Sequence, residues 1–289
     1  MTTAAPPPAP PKGKPTAPPP PPGPPPASAH VGQSTGKSYD VTEGPEQGPE
    51  RVLIYGPGGI GKSELPANAK ALGLDVVCID VEQSTSKINV ARIKSASSYE
   101  DVVAILAGHP RLERADMIVF DSFTKLEELC IDYVVRTTKN EKGNYVDGIE
   151  KFGFGKGYSY NYEAFNRILG MLDAWARKGK HIVCTAHECV SKVPNPYGDD
   201  WQRYEPRLQK QDNGNIRSRC KEWATQTWFI GFDVHVGENR KATGAGTRRI
   251  YTSELPTHLA KNRDFPDGGV GFPYEQYSAD IWSKLFSKE

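Results

Sequence analysis

The sequence predicts an α/β fold: a mostly parallel sheet flanked by helices, with β-hairpin additions toward its end and a disordered tail at its start. Three observations carry this. Short apolar runs alternate with stretches of helical periodicity from about residue 51 onward. The first of these runs leads straight into a glycine loop and then into a helical stretch. Residues 1–45 are a different material, rich in proline, with almost nothing to bury.

The first strand is "RVLIY" (51–55), read as buried because it is apolar throughout. "DVVCID" (75–80) is the second. "SSYEDVVAIL" (97–106) opens with serines and an acidic first turn and stops at Gly108, which predicts a helix. "DMIVFD" (116–121) is a third strand. Leu126, Leu129, Cys130, Tyr133 and Val134 then share one helical face, and Tyr162, Phe165, Leu169, Leu172 and Ala176 share another, ended by Gly179. Both stripes are core positions and need no cofactor to explain them. Further strands are "HIVCTAH" (181–187), "TQTWFIGFDVHV" (225–236) and "RRIYTSE" (248–254). Two long irregular segments remain, at about 137–160 and 188–222. Loops of that length in a folded domain are usually functional or mobile. The chain thus divides into a proline-rich tail over 1–45 and one domain over 46–289. The tail reads either as a ligand for a proline-recognising partner or as a stiff, solvated spacer, and nothing in it selects a partner.

Composition narrows the classes. The chain has 289 residues, 37% hydrophobic and 25% charged, with a net charge of +1, so any contact with nucleic acid must come from a local patch. Its five cysteines are odd in number and irregularly spaced, which does not suit a disulfide framework. Cys184, His187 and Cys189 are close in sequence but fit no zinc spacing. No run is long and apolar enough to cross a bilayer, and the expected setting is the cytoplasm.

Gly56, Pro57, Gly58, Gly59, Ile60, Gly61, Lys62 and Ser63 satisfy G-x-x-x-x-G-K-[ST] in full. Glycines let successive backbone N–H groups face the phosphates of ATP, and the following helix presents its positive end. Lys62 is placed to reach the β- and γ-phosphates, and Ser63 to hold Mg²⁺. Pro66 falls early in the helix, where the N–H groups are unpaired in any case. Asp121 ends an apolar strand downstream, where a carboxylate can hold the water shell of Mg²⁺. Ser122, not a glutamate, follows it. A glutamate instead ends "IDVE", and neighbouring parallel strands bring their carboxyl ends together, so Glu82 is either the base that activates water or a surface carboxylate.

"CIDVEQ" followed by "IVFDS" resembles the RecA-type core of P-loop NTPases. With "SFTKLEELC", "FGFGKGYSYNYEAF" and "HIVCTAHE", the stretch from about 51 to 285 is similar to bacteriophage ATP-binding proteins of the RecA-like single-strand annealing type. The resemblance implies a RecA-like core and a catalytic Glu82. It also implies a polar sensor of the γ-phosphate at His187, in place of the glutamine usual in recombinases. Read alone, His187 is equally a polar residue at a strand end. The two long loops occupy the places where RecA-like proteins hold DNA. The second carries Arg203, Arg207, Lys210, Arg217, Arg219 and Lys221, with Tyr197, Trp201 and Tyr204 before or among them. Cations for phosphates and aromatic faces for bases suit a single strand, although Asp199 and Asp200 weaken the patch and an ordinary surface loop is the alternative. The first loop offers Lys151, Lys156, Tyr158 and Tyr160. Lys261 and Arg263 resemble the pair that reaches a neighbouring subunit's ATP in RecA-like assemblies; the alternative is a basic turn at a sheet edge.

The leading expectation is a DNA-dependent ATPase that assembles as a filament or ring on single-stranded DNA and promotes annealing or strand exchange. A single-strand DNA-binding protein is a candidate second partner, and no membrane is expected. The competing readings are an annealing module that uses ATP only as an assembly switch, and a ring-forming helicase or loader ATPase.

Overall fold

In the computed structural model, which describes residues 41–44, 46–236 and 242–286, the apolar run before the glycine loop lies at the centre of a sheet. The chain divides into Met1–Glu46 and Gln47–Glu289, and the fold below is that of the second unit. The proline-rich stretch expected to form the tail lies outside the described residues.

Among the described residues nine strands form the sheet: β1 (Arg51–Gly56), β2 (Val76–Asp80), β3 (Ala91–Ile93), β4 (Met117–Asp121), β5 (His181–Val193), β6 (Trp201–Pro206), β7 (Gln226–Val236), β8 (Ala242–Tyr251) and β9 (Phe272–Pro273). Their order is β3-β2-β4-β5-β1-β7-β8-β9, with β6 paired to β5 alone. The ladders from β3 through β1 to β7 are parallel. Those joining β7 to β8, β8 to β9 and β5 to β6 are antiparallel. A parallel sheet must be covered on both faces, which is why β1, β2 and β4 are apolar at nearly every position rather than alternating.

Side-chain alternation sorts these strands into two cores. Leu53, Tyr55, Val77, Ile79, Ile118, Phe120 and Ile182 face one way. They pack against the helices α2 (Tyr99–Gly108), α3 (Pro110–Arg114), α4 (Phe123–Thr137) and α5 (Lys156–Arg177). Val52, Ile54, Val76, Cys78, Met117, Val119 and Val183 face the other way, against Ile60, Leu65 and the C-terminal helix α7 (Asp280–Phe286). Helix α2 begins as the sequence predicts: Ser98 and Asp101 form a reciprocal capping box, a device that stabilises a helix by about 1 kcal/mol.

Three segments differ from expectation. The helix after the glycine loop is only α1 (Glu64–Ala67), followed by a 3-10 turn over Asn68–Leu72. A C-terminal strap runs along it: Tyr274 donates to the Gly61 carbonyl at 2.8 Å, Trp282 Nε1 to the Leu65 carbonyl at 2.7 Å, and Asn68 to the Ser278 carbonyl at 3.1 Å. The supposed irregular stretch 188–222 is mostly regular. Strand β5 runs on to Val193, β6 returns beside it, and α6 (Ile216–Trp223) follows. The segment 137–160 contains a 3-10 turn over Ile149–Phe152 and the first turn of α5, so Lys156, Tyr158 and Tyr160 are helical. Among the described residues no helix is long and apolar enough to cross a membrane.

Candidate nucleotide site

The glycine loop leaves β1 at the carboxyl end of the parallel strands. Gly61 has φ 107°, and a Cβ there would stand 2.5 Å from the Tyr274 hydroxyl oxygen, so the loop needs glycine both for its backbone and for the closeness of the strap. Arg248 braces the loop from the β8 side, donating to the Ile60 carbonyl at 2.9 Å and stacking over Tyr274. Neither contact was legible in the sequence. Lys62 is 7% exposed, and its ammonium donates back to the Pro57 carbonyl at 2.7 Å. Burial lowers its pKa, and the carboxylates of Asp121, Glu82 and Glu188 pull it back up.

The acids arrive by strand parity. Asp80 and Asp121 are register partners on β2 and β4, and both lie on the sheet face that carries the glycine loop. Asp121 is buried and accepts hydrogen bonds from Thr185 on Oδ1 and from Ser84 on Oδ2, the latter at 2.8 Å. Asp80 is committed to the backbone beyond it, accepting from the N–H groups of Ser84 at 3.0 Å and Thr85 at 3.1 Å. This pins a turn in which Gln83 takes φ 57°, and the pinned turn holds Glu82 over the end of β4. There the Glu82 N–H donates to the Asp121 carbonyl at 3.2 Å. Its carboxylate meets two partners on Oε1: the Ser122 hydroxyl at 2.5 Å and His187 Nε2 at 3.1 Å. His187 stands level with Gly56 across the β1–β5 ladder, and its N–H donates to Thr124 Oγ1 at 2.9 Å. Lys62, Asp121, Glu82 and His187 therefore meet at one end of the sheet.

Sequence reasoning missed Ser84, Thr185 and Glu188. Thr185 had a signal, since Val183, Thr185 and His187 alternate onto one strand face. Ser84 had none, because only the pinned turn brings it to Asp121.

The donor set suits a hard divalent cation. Ser63 makes no capping hydrogen bond with its side chain, and Asp121 presents a carboxylate flanked by the hydroxyl oxygens of Ser84 and Thr185. Beside the loop a cleft of about 730 Å³ runs from Gly59 and Lys62 past Asn68 and Lys87 to Gln276 and Tyr277. Its size suits a nucleotide.

The other predicted residues are dispersed. Arg217 is 8% exposed and enclosed by the chain: it pairs with Glu205 and donates to Ser191 Oγ at 2.7 Å and the Leu208 carbonyl at 3.1 Å. Arg203 pairs with Glu205 at 2.7 Å and Glu254 at 2.9 Å, and Lys221 with Glu254 at 2.5 Å. Burial alone would raise the Glu205 carboxyl. Hydrogen bonds from Arg203 and Ser191 and the charge of Arg217 outweigh it and hold the group below its usual range. Arg219 donates to Asn166 at 3.1 Å. The expected row of six free cations thus reduces to Arg207 and Lys210 as exposed ones, Lys210 standing 3.9 Å from Glu205. Lys151 and Lys156 are exposed but paired with Asp147 and Glu141.

Lys261 also has an internal task. Its ammonium donates to the carbonyls of Lys221 at 2.9 Å, Glu222 at 3.1 Å and Ala224 at 2.5 Å, closing the C-terminal end of α6 as a cation should. Its backbone bridges to Thr227, which is level with Leu53 rather than with the glycine loop. This corrects the expectation that Lys261 reaches outward. Arg263 is exposed.

A glycine loop between strand and helix, a buried lysine within it and a carboxylate ending a neighbouring parallel strand together define a P-loop nucleotide-binding protein. A family comparison agrees: residues 49–264 match the AAA domain family AAA_24, most of the chain, and the chain belongs to that family. Nucleotide binding, usually with Mg²⁺, and ATPase chemistry are the properties of this class. No curated protein matches the chain.

Proposed function

We propose that the protein hydrolyses ATP with Glu82 as the general base, and that single-stranded DNA is the partner which this hydrolysis serves. The observation that carries the first part is the Ser122–Glu82–His187 contact beside the glycine loop. Both hydrogen bonds fall on Oε1, which leaves Oε2 to accept a proton from the attacking water. His187, held by Thr124, orients the carboxylate and faces the terminal phosphate. The backbone N–H groups of residues 58–63 and the Lys62 ammonium bind the phosphates, for which Lys62 must leave the Pro57 carbonyl. Ser63 and Asp121 would hold Mg²⁺, which when bound supplies Lewis-acid neutralisation of phosphate charge. The cleft toward Tyr277 takes the base and sugar.

The DNA reading is supported by the β5–β6 hairpin. It springs directly from His187, and the Arg207 N–H, just past β6, donates to the His187 carbonyl at 2.8 Å. Tyr197 is 98% exposed there, Tyr204 and Trp201 are partly so, and Arg207 is exposed at its base, whereas Lys192 is paired with Asp200 at 2.9 Å. Aromatic faces and free cations are what a single strand binds without base readout. Turnover should rise when oligo-dT is added. Neutralising Arg207 and Lys210 together should reduce the salt slope of oligo-dT binding by about 1.4, since each cation on a single-strand phosphate contributes roughly 0.7. An unchanged slope puts DNA elsewhere.

Self-assembly, as a filament or ring, belongs to the same proposal. Arg263 is its candidate contact to a neighbour's ATP, Lys261 being occupied. Arg263→Ala should leave nucleotide binding intact and suppress turnover, and wild-type turnover by the purified variant removes the trans role. Annealing or strand exchange is the activity that such an assembly would support.

A further inference from the structure

Glu188 is a charged group that the mechanism above does not use, and its surroundings are unusual for a carboxylate. It directly follows His187, one residue beyond the level of Gly56, where the glycine loop opens. Its backbone pairs with Pro206 on β6, which fixes it at the rim of the phosphate site. The Oε2 atom is buried and, among the described residues, has no hydrogen-bond partner. Buried carboxylate oxygens are normally satisfied, so an orphan at a binding site calls for an explanation. The charges that act on it come from Lys62 and His187. Burial pushes its pKa up, and these two cationic or potentially cationic neighbours pull it back down. Reciprocally, Lys62 is sustained as a cation by Asp121, Glu82 and Glu188, with Arg207 opposing. Asp121 has its hydroxyl partners and Glu82 has Ser122 and His187. Glu188 Oε2 has no such partner among the described residues, and the group feels the charges of Lys62 and His187 without a hydrogen bond to either.

Such an arrangement has a consequence for a polyanionic ligand. In the free protein the carboxylate of Glu188 offsets the lysine charge. When a triphosphate takes the Lys62 ammonium, Glu188 loses that compensation and faces phosphate charge of its own sign from a half-buried place. The repulsion, or the protonation needed to relieve it, comes out of the binding free energy.

We propose that Glu188 is an internal counter-anion of the phosphate site, a positioning residue that balances Lys62 when the site is free and weakens the hold on nucleotide once it is filled. This rests on the nucleotide-binding reading above. Its effect is on exchange: a site that binds triphosphate and its diphosphate product less tightly releases them sooner.

The sign of the effect makes it testable: losing a contact that supports the site weakens binding, whereas losing a like charge beside the phosphates tightens it. Glu188→Gln keeps the shape and removes the charge. Measured by titration with a fluorescent ATP analogue and Mg²⁺ on the full chain, it should bind about tenfold more tightly than wild type, as expected for removing one like charge near a polyanion. Dissociation of the corresponding diphosphate should slow by a similar factor. Glu188→Asp, which retains the charge, should stay near wild type. In a Lys62→Met background, where binding is weaker overall, the Gln substitution should still tighten it, since the repulsion between Glu188 and phosphate does not pass through the lysine. If the Gln variant does not fold, Glu188→Ala carries the same comparison. Unchanged or weaker binding by a folded charge-removed variant, with wild type binding normally, overturns the counter-anion alone. Failure of wild type to bind nucleotide overturns the reading beneath it, and the counter-anion with it.

Discussion

Lys62→Ala should abolish measurable ATP turnover, with a loss of at least about 10²-fold and a marked weakening of nucleotide binding. The lysine is almost fully buried, so its charge acts in a poorly screened place. It lies in the field of Asp121, Glu82 and Glu188, and within the described chain its ammonium is satisfied only by the Pro57 carbonyl. That single neutral partner makes the ammonium easy to transfer to phosphate. Removing it leaves three carboxylates around the cradle with less to offset them, which repels a polyanion further. The fold should survive, because the loop is braced separately by Tyr274 and Arg248. An ATPase assay with a thermal melt as control decides the matter. Undiminished turnover in a folded variant removes the loop from the mechanism.

Glu82→Gln should separate binding from chemistry. The amide keeps the contacts to Ser122 and His187 in outline but cannot take a proton from water. Turnover should fall by about 10²–10⁴-fold, the usual contribution of a general base, while nucleotide affinity changes little. The same variant also distinguishes the two ways in which ATP could serve DNA. If Glu82→Gln binds ATP and anneals complementary strands at the wild-type rate, hydrolysis is not the working step and ATP acts as an assembly switch. If annealing falls with turnover, hydrolysis drives it. A fall in affinity equal to the fall in turnover would instead mean that Glu82 holds the site together rather than acting on water.

What could be read from the sequence, and what could not, follows the range of the interactions. The glycine loop, the strand that feeds it and the acid ending "MIVFD" are local patterns, and each lies where the pattern says. The convergence of Glu82 and Asp121 needed only the rule that parallel neighbours share an end, and β2 and β4 are indeed neighbours. Ser84, Arg248 and the strap over α1 depend on contacts 37, 188 and more than 200 residues apart in sequence, which no local pattern encodes. The cations of 203–221 show the same limit from the other side. Their number is plain in the sequence, but Glu205 and Glu254 claim most of them, and the buried place of Arg217 depends on the β5–β6 hairpin. That hairpin was hidden by Pro194, Pro196 and Pro206, which resemble loop punctuation until the strands on either side are paired. Lys261 read as a reaching cation because the helix end that it closes lies 37 to 40 residues away.

In the proposed mechanism Glu82, and no other acid, addresses the water that attacks the terminal phosphate. The most direct measurement is a crystal structure of the protein with ADP, Mg²⁺ and aluminium fluoride, which mimics the phosphoryl group in transfer. The Glu82 carboxylate should lie within hydrogen-bond distance of the water on the far side of the fluoride, with His187 still on its other oxygen. A water held instead by Glu188 or Asp121, with Glu82 turned toward solvent, would contradict it.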